Sequence, residues 1–90
     1  MNNMLSDQDT KALHDILVAQ LDVQPDQVTP EARIQEDLGA DSLDVMEIIM
    51  AVEERWQITI PDERAERVST VADLVEALEE LMEHTQRSRA

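Results

Sequence analysis

The stretch that decides the fold is Glu36–Trp56, EDLGADSLDVMEIIMAVEERW. A polar, glycine-containing lead, EDLGAD, runs into fifteen residues from Ser42 that contain neither Pro nor Gly. Stepped at 100° per residue, Val45, Ile48, Ile49, Val52 and Trp56 fall within an arc of roughly 100°, the apolar stripe of an amphipathic helix facing a core. The opposite side carries Leu43, Met46 and Met50 among Glu47, Glu53 and Glu54, with Asp44 on a flank. A helix with one core stripe does not need this second apolar set. Single apolar residues on a surface are ordinary, but three aligned along one face point to a docking strip. Methionine suits such a strip because its flexible thioether repacks against different partners. The bland alternative is that the third helix or the long loop covers all three.

Working outward, a first helix is expected from about Ser6, where Ser6 with Asp9 has the spacing of a capping box. Leu13, Ile16, Leu17 and Leu21 then make one helical stripe, which should end by Val23 because Pro25 disfavours helix in the residue before it. The connection Gln24 to Ala40 holds Pro25, Pro30 and Gly39, and a loop of this length is expected to tuck down Val28, Ile34 and Leu38. Asp41 or Ser42 caps the second helix. After Trp56, ITIPDERAERV predicts an extended turn and one or two helical turns beyond Pro61. Thr70 with Asp73 marks a further capping box, opening a last helix to about Met82 with Val71, Leu74, Val75, Leu78 and Leu81 inward. Residues 83–90 are expected to be a flexible tail.

Ninety residues with no shift in composition predict a single domain over 1–90, its helical core at about 7–82. One Trp, no Phe or Tyr, and a single Gly leave Leu, Ile, Val, Met and Ala to fill the core, so the chain reads as all-α. There is no cysteine, hence no disulfide, no thiolate metal site and no cysteine nucleophile. Twenty-one acids against seven bases give a formal charge of −14, and between Ile34 and Glu54 there is no Lys or Arg at all. Nucleic acid and anionic membrane surfaces are poor partners for such a field, whereas basic protein patches or divalent cations fit it. The N-terminal MNNMLSDQDTKAL lacks the basic start and apolar core of a signal peptide, and the expected location is the cytoplasm. An enzyme is not expected. Ser42 lacks a G-x-S-x-G setting, and of the two histidines His14 is placed on an outer helix face and His84 in the tail. No D-x-[DN]-x-[DN]-G calcium loop is present, and no metal site is expected.

Ser42 admits two readings. Serine at a helix start usually caps it. A helix N-terminus after a glycine-containing loop is also a good place for a phosphate, through free backbone N–H groups and the helix dipole. Asp41 and Asp44 argue against a free anion there, which favours a covalently attached group.

At this point the residues resemble a known family. Asp41-Ser42-Leu43, preceded by Glu36-Asp37-Leu38-Gly39-Ala40, is similar to the attachment site of acyl carrier proteins. The likeness spans roughly Asp7 to Leu81 and includes Gln27-Val28-Thr29, the run Glu47 to Glu54, and Ile60-Pro61-Asp62-Glu63. The resemblance implies a four-helix bundle with a long first loop and a short third helix. It implies that Ser42 takes 4'-phosphopantetheine from coenzyme A through a Mg-dependent phosphopantetheinyl transferase, and that the arm's thiol carries acyl groups as thioesters. Asp41, Asp44, Glu47, Glu53 and Glu54 match the acids that the family offers to basic patches on acyl-transferring and chain-extending enzymes; Leu43, Met46 and Met50 match the apolar contacts between them. It further implies a monomer whose acyl chain can tuck between helices. Ile34 and Trp56 stand where a fatty-acid carrier more often has Phe, Met46 where Val is commoner, and Arg33 adds a base before the acidic run. Fatty-acid biosynthesis and a specialised lipid or polyketide pathway therefore both stay open. So do an aminoacyl or peptidyl carrier and an unmodified acidic adaptor.

Overall fold

The computed structural model describes residues 5–89, with side chains through Met82. It is an all-α bundle of four helices: α1 Asp7–Leu21, α2 Ser42–Trp56, the five-residue α3 Asp62–Glu66, and α4 Val71–Arg89. Each boundary has a local cause. Ser6 caps α1 by accepting from the Asp9 backbone N–H at 3.0 Å. The second half of the expected box does not close onto it; the Asp9 carboxylate turns instead to the Trp56 indole. Asp22, in the left-handed region at φ 54°, ends α1 just before the Pro25–Gln27 turn. Gln57, at φ 55°, ends α2 in the same way. Thr70 and Asp73 form the expected reciprocal box at α4, with Thr70 Oγ1 accepting from Asp73 N at 3.1 Å and Asp73 Oδ2 accepting from Thr70 N at 3.0 Å. Asp73 Oδ2 also accepts from Ser69 N at 3.0 Å. These backbone N–H groups, Thr70 first and then Ser69, hold the Asp73 carboxyl below its ordinary pKa. Past Met82 the helix backbone continues to Arg89, because nothing in EHTQRSR breaks it: the run has no Pro or Gly.

The core lies between α1, α2 and α4. Leu13, Leu17, Ile48, Val52, Leu74 and Leu78 are its fully buried side chains, and no polar or charged side chain is buried among the described residues. Each such aliphatic contributes about 1.5–3 kcal/mol by leaving water. The outward charge thus faces solvent on every side of a wholly apolar interior.

The long loop is a built part of the fold. Val28, Ala32, Ile34, Leu38 and Ala40 bury their side chains, as expected for Val28, Ile34 and Leu38. Its backbone crosses the start of α4 through Ile34 N to Ser69 O at 2.9 Å, Val71 N to Ala32 O at 3.0 Å and Ala72 N to Pro30 O at 3.0 Å. His14 also ties the loop down: its Nε2–H donates to the Pro25 carbonyl at 2.9 Å. The ring is half-buried rather than solvent-facing, a correction that follows from the chain folding back over α1 after Pro25.

Candidate functional site

The turn before α2 sets the site. Asp37 N and Leu38 N both donate to the Arg33 carbonyl, at 2.8 and 3.1 Å, and Asp37 Oδ2 accepts from Arg33 N at 2.9 Å. Leu38 plugs into the core, and Gly39 then turns the chain at φ +78°. A Cβ at Gly39 would meet no atom within 4 Å, so glycine is needed there for its backbone angle, not for space.

Asp41, not Ser42, caps α2. Asp41 Oδ1 accepts from Asp44 N at 2.8 Å, and Asp44 Oδ2 accepts from Asp41 N at 3.2 Å. Both carboxylates sit at the positive end of the helix dipole, where they stabilise it. Ser42 is consequently the first helical residue, exposed, and its hydroxyl is not spent on the cap. The two readings of the serine are separated by one position.

On the outward side of α2, Leu43, Met46 and Met50 are 62%, 60% and 61% exposed, the three exposed large hydrophobics among the described residues. Neither the loop nor α3 covers them, so the covered-strip alternative does not hold. Around them, Glu54 is exposed, and exposed Glu47 accepts from the Gln20 side chain of α1. Glu53 is different. Its Oε2 accepts from the Ile60 backbone N–H at 2.8 Å, so the carboxylate straps the ITIP turn to α2 while its side chain is half-buried. Nothing in the spacing of Glu53 marks this role, because its partner is a backbone amide seven positions on.

A cavity of about 800 Å³ opens beside Ser42, between α2, the loop and the α3 region. Ile34, Val45, Ile49, Ile60, Ala65 and Val68 form its apolar wall, and Met46 and Met50 stand on its α2 side. Ala65 and Val68 escaped the sequence reading, since the five residues of α3 are too few for a stripe and Val68 lies in the turn beyond them. Pinning of Ile60 by Glu53, and an ion pair from Arg64 to Glu80 at 2.8 Å, hold α3 over this side of the bundle.

The site has the chemistry for one attached group: a free hydroxyl at a helix N-terminus, an apolar cavity next to it, and an acidic, partly apolar face alongside. Known proteins resemble this chain over most of its length. A family model described as a phosphopantetheine attachment site matches residues 11–78. The acyl carrier protein of Wolinella succinogenes is 51% identical over 67 residues, which cover 74% of this chain and 88% of that protein. That of Helicobacter pylori is 54% identical over 65 residues, covering 72% and 83%. Among solved structures, the acyl carrier protein of Enterococcus faecalis superposes with a TM-score of 0.73 at 31% identity, covering 90% of this chain and 99% of that one. A hexanoyl carrier from the actinorhodin polyketide synthase of Streptomyces coelicolor gives 0.73 at 29% identity, covering 90% and 94%.

Proposed function

We propose that this chain, which belongs to the acyl carrier protein family, carries acyl groups on a 4'-phosphopantetheine arm attached at Ser42, in fatty-acid or polyketide biosynthesis. The observation that carries the assignment is the cap: because Asp41 holds the α2 N-terminus, the exposed Ser42 hydroxyl is left over for chemistry. The arm, once attached, supplies the thiol on which acyl groups are held; the chain itself has no cysteine to compete with it. Ser42 Oγ is the atom that takes the phosphopantetheinyl group. Its bond to the pantetheine-bearing phosphorus of coenzyme A forms as the pyrophosphate bond breaks and adenosine 3',5'-bisphosphate leaves. The hydroxyl proton passes to the phosphopantetheinyl transferase that catalyses the step. The chain is a carrier, not an enzyme.

Its own residues do three things. The Asp41–Asp44 box fixes Ser42 at the helix start. The apolar wall of the neighbouring cavity supports an acyl cargo over an aminoacyl or peptidyl one. The outer face of α2 offers Asp41, Asp44, Glu47 and Glu54 to basic patches on partner enzymes, with Leu43, Met46 and Met50 as the apolar contacts. Such a face favours fast, reversible encounters, since steering charge raises association more than affinity. Glu53 stands apart as a strap for the α3 side. With a formal charge of −14, copies of the chain repel one another, which supports a monomer; a cytoplasmic location belongs to the same reading. Intact mass before and after incubation with coenzyme A and a phosphopantetheinyl transferase tests the function. A gain of one phosphopantetheinyl group, absent in Ser42→Ala, is the expected result. No gain in folded, initially unmodified protein replaces the carrier with an acidic adaptor.

A further inference from the structure

The chain contains five methionines and no cysteine. Two of those methionines, Met46 and Met50, lie one helical turn apart on the outward face of α2 and are 60% and 61% exposed. Both also stand on the wall of the cavity that Ser42 borders. Met82, by contrast, packs against the core from α4. The same two thioethers therefore serve two apolar surfaces at once, the docking strip and the cavity.

We propose that Met46 and Met50 form a reversible oxidation site through which peroxide turns docking off. The inference rests on the docking reading of the α2 face. In each event a sulfur lone pair attacks one oxygen of hydrogen peroxide. The S–O bond forms as the O–O bond breaks, the thioether loses two electrons, and the second oxygen leaves as water. The product sulfoxide is polar, chiral and a strong acceptor, where an apolar, pliable group stood before. A partner enzyme that covers the strip must then strip water from two S=O dipoles for which its apolar contacts provide no donor. Leucine at either position would supply similar apolar area without this sensitivity. The change is undone by methionine sulfoxide reductases, which use a dithiol to remove the oxygen as water. In the unmodified chain no protein thiol competes for the oxidant.

The test uses the unmodified full chain. Hydrogen peroxide is titrated in, peptide mapping locates each sulfoxide, and circular dichroism confirms that the fold persists. The rate at which the transferase and coenzyme A add mass at Ser42 is then compared before and after oxidation. Met46 and Met50 should oxidise ahead of Met82, and the bound transferase should protect them. The labelling rate should fall about tenfold, the factor given by about 1.4 kcal/mol of lost contact. Sulfoxide reductase should restore it. In the double variant Met46→Leu, Met50→Leu, the ratio of oxidised to unoxidised rate should stay near one. An unchanged rate with both sulfoxides in place overturns the proposal, as does equal slowing of the double variant or oxidation of Met82 at the same pace. If the unoxidised chain takes no group at Ser42, the carrier reading itself fails, and the switch with it.

Discussion

Trp56 donates its indole N–H to Asp9 Oδ1 at 3.0 Å across 47 positions of the chain. The bond joins the last turn of α2 to the first turn of α1, while the Arg55 guanidinium lies over the indole ring, 5.1 Å from its centroid. A half-buried aromatic with its one donor satisfied by a carboxylate both fills the bundle's edge and fixes the pairing of the two helices. Trp56→Phe keeps most of the apolar area and loses the donor, so it should cost about 1 kcal/mol. A fall in melting temperature of about 4–8 °C by circular dichroism is the expected reading for a domain of this size. Asp9→Ala should cost a similar amount, and the pair of substitutions less than the sum of the two. Strict additivity would show that the contact contributes nothing of its own.

The separation of cap from attachment point is testable at adjacent positions. Ser42→Ala should leave stability within about 0.5 kcal/mol, as for a surface position without structural duty. Asp41→Ala should cost about 1 kcal/mol by removing the acceptor for Asp44 N. Urea denaturation of both variants decides the matter; a destabilised Ser42→Ala would return the serine to a structural role.

What the sequence disclosed, and what it did not, divides by distance along the chain. Both stripes of α2, the tucked loop residues and the Thr70–Asp73 box depend on neighbours a few positions away, and all stand as read. The choice between Asp41 and Ser42 as cap was open because both residue types cap well, and only the reciprocal bond with Asp44 selects Asp41. Asp9, His14 and Glu53 were misjudged or missed for a common reason. Each is polar and could face water, but finds a partner that tertiary structure supplies: Trp56, the Pro25 carbonyl and the Ile60 amide. The cavity by Ser42 was likewise illegible, because its walls come from α2, the loop and the α3 region together.

Charge on the α2 face should govern partner turnover. Glu47→Lys is expected to slow labelling of Ser42 about fivefold, and Glu76→Lys, on α4, less than about twofold. Gln20→Ala is the control, since it removes the side-chain bond to Glu47 without reversing charge. The Glu47 effect should shrink at high salt, because exposed charges are screened. Equal slowing by the two charge reversals would dissociate docking from this face.

Asp73 gives the fold a pH dependence of definite sign. Backbone N–H groups of Thr70 and Ser69 donate to its carboxylate and hold its folded pKa below the ordinary value. A carboxyl with a depressed folded pKa stabilises the fold fully above its unfolded pKa, about 3.9. The contribution is lost as pH falls from there through the folded value. Asp73→Asn keeps an acceptor but not the charge, and solvent screening at this surface position limits the cost to about 1 kcal/mol or less at neutral pH. Denaturation midpoints of the two proteins should therefore differ at neutral pH and converge as pH falls below the unfolded pKa and through the lowered folded one. A gap that persists unchanged into acid would assign the cost to altered side-chain geometry in the box, not to the charge of Asp73.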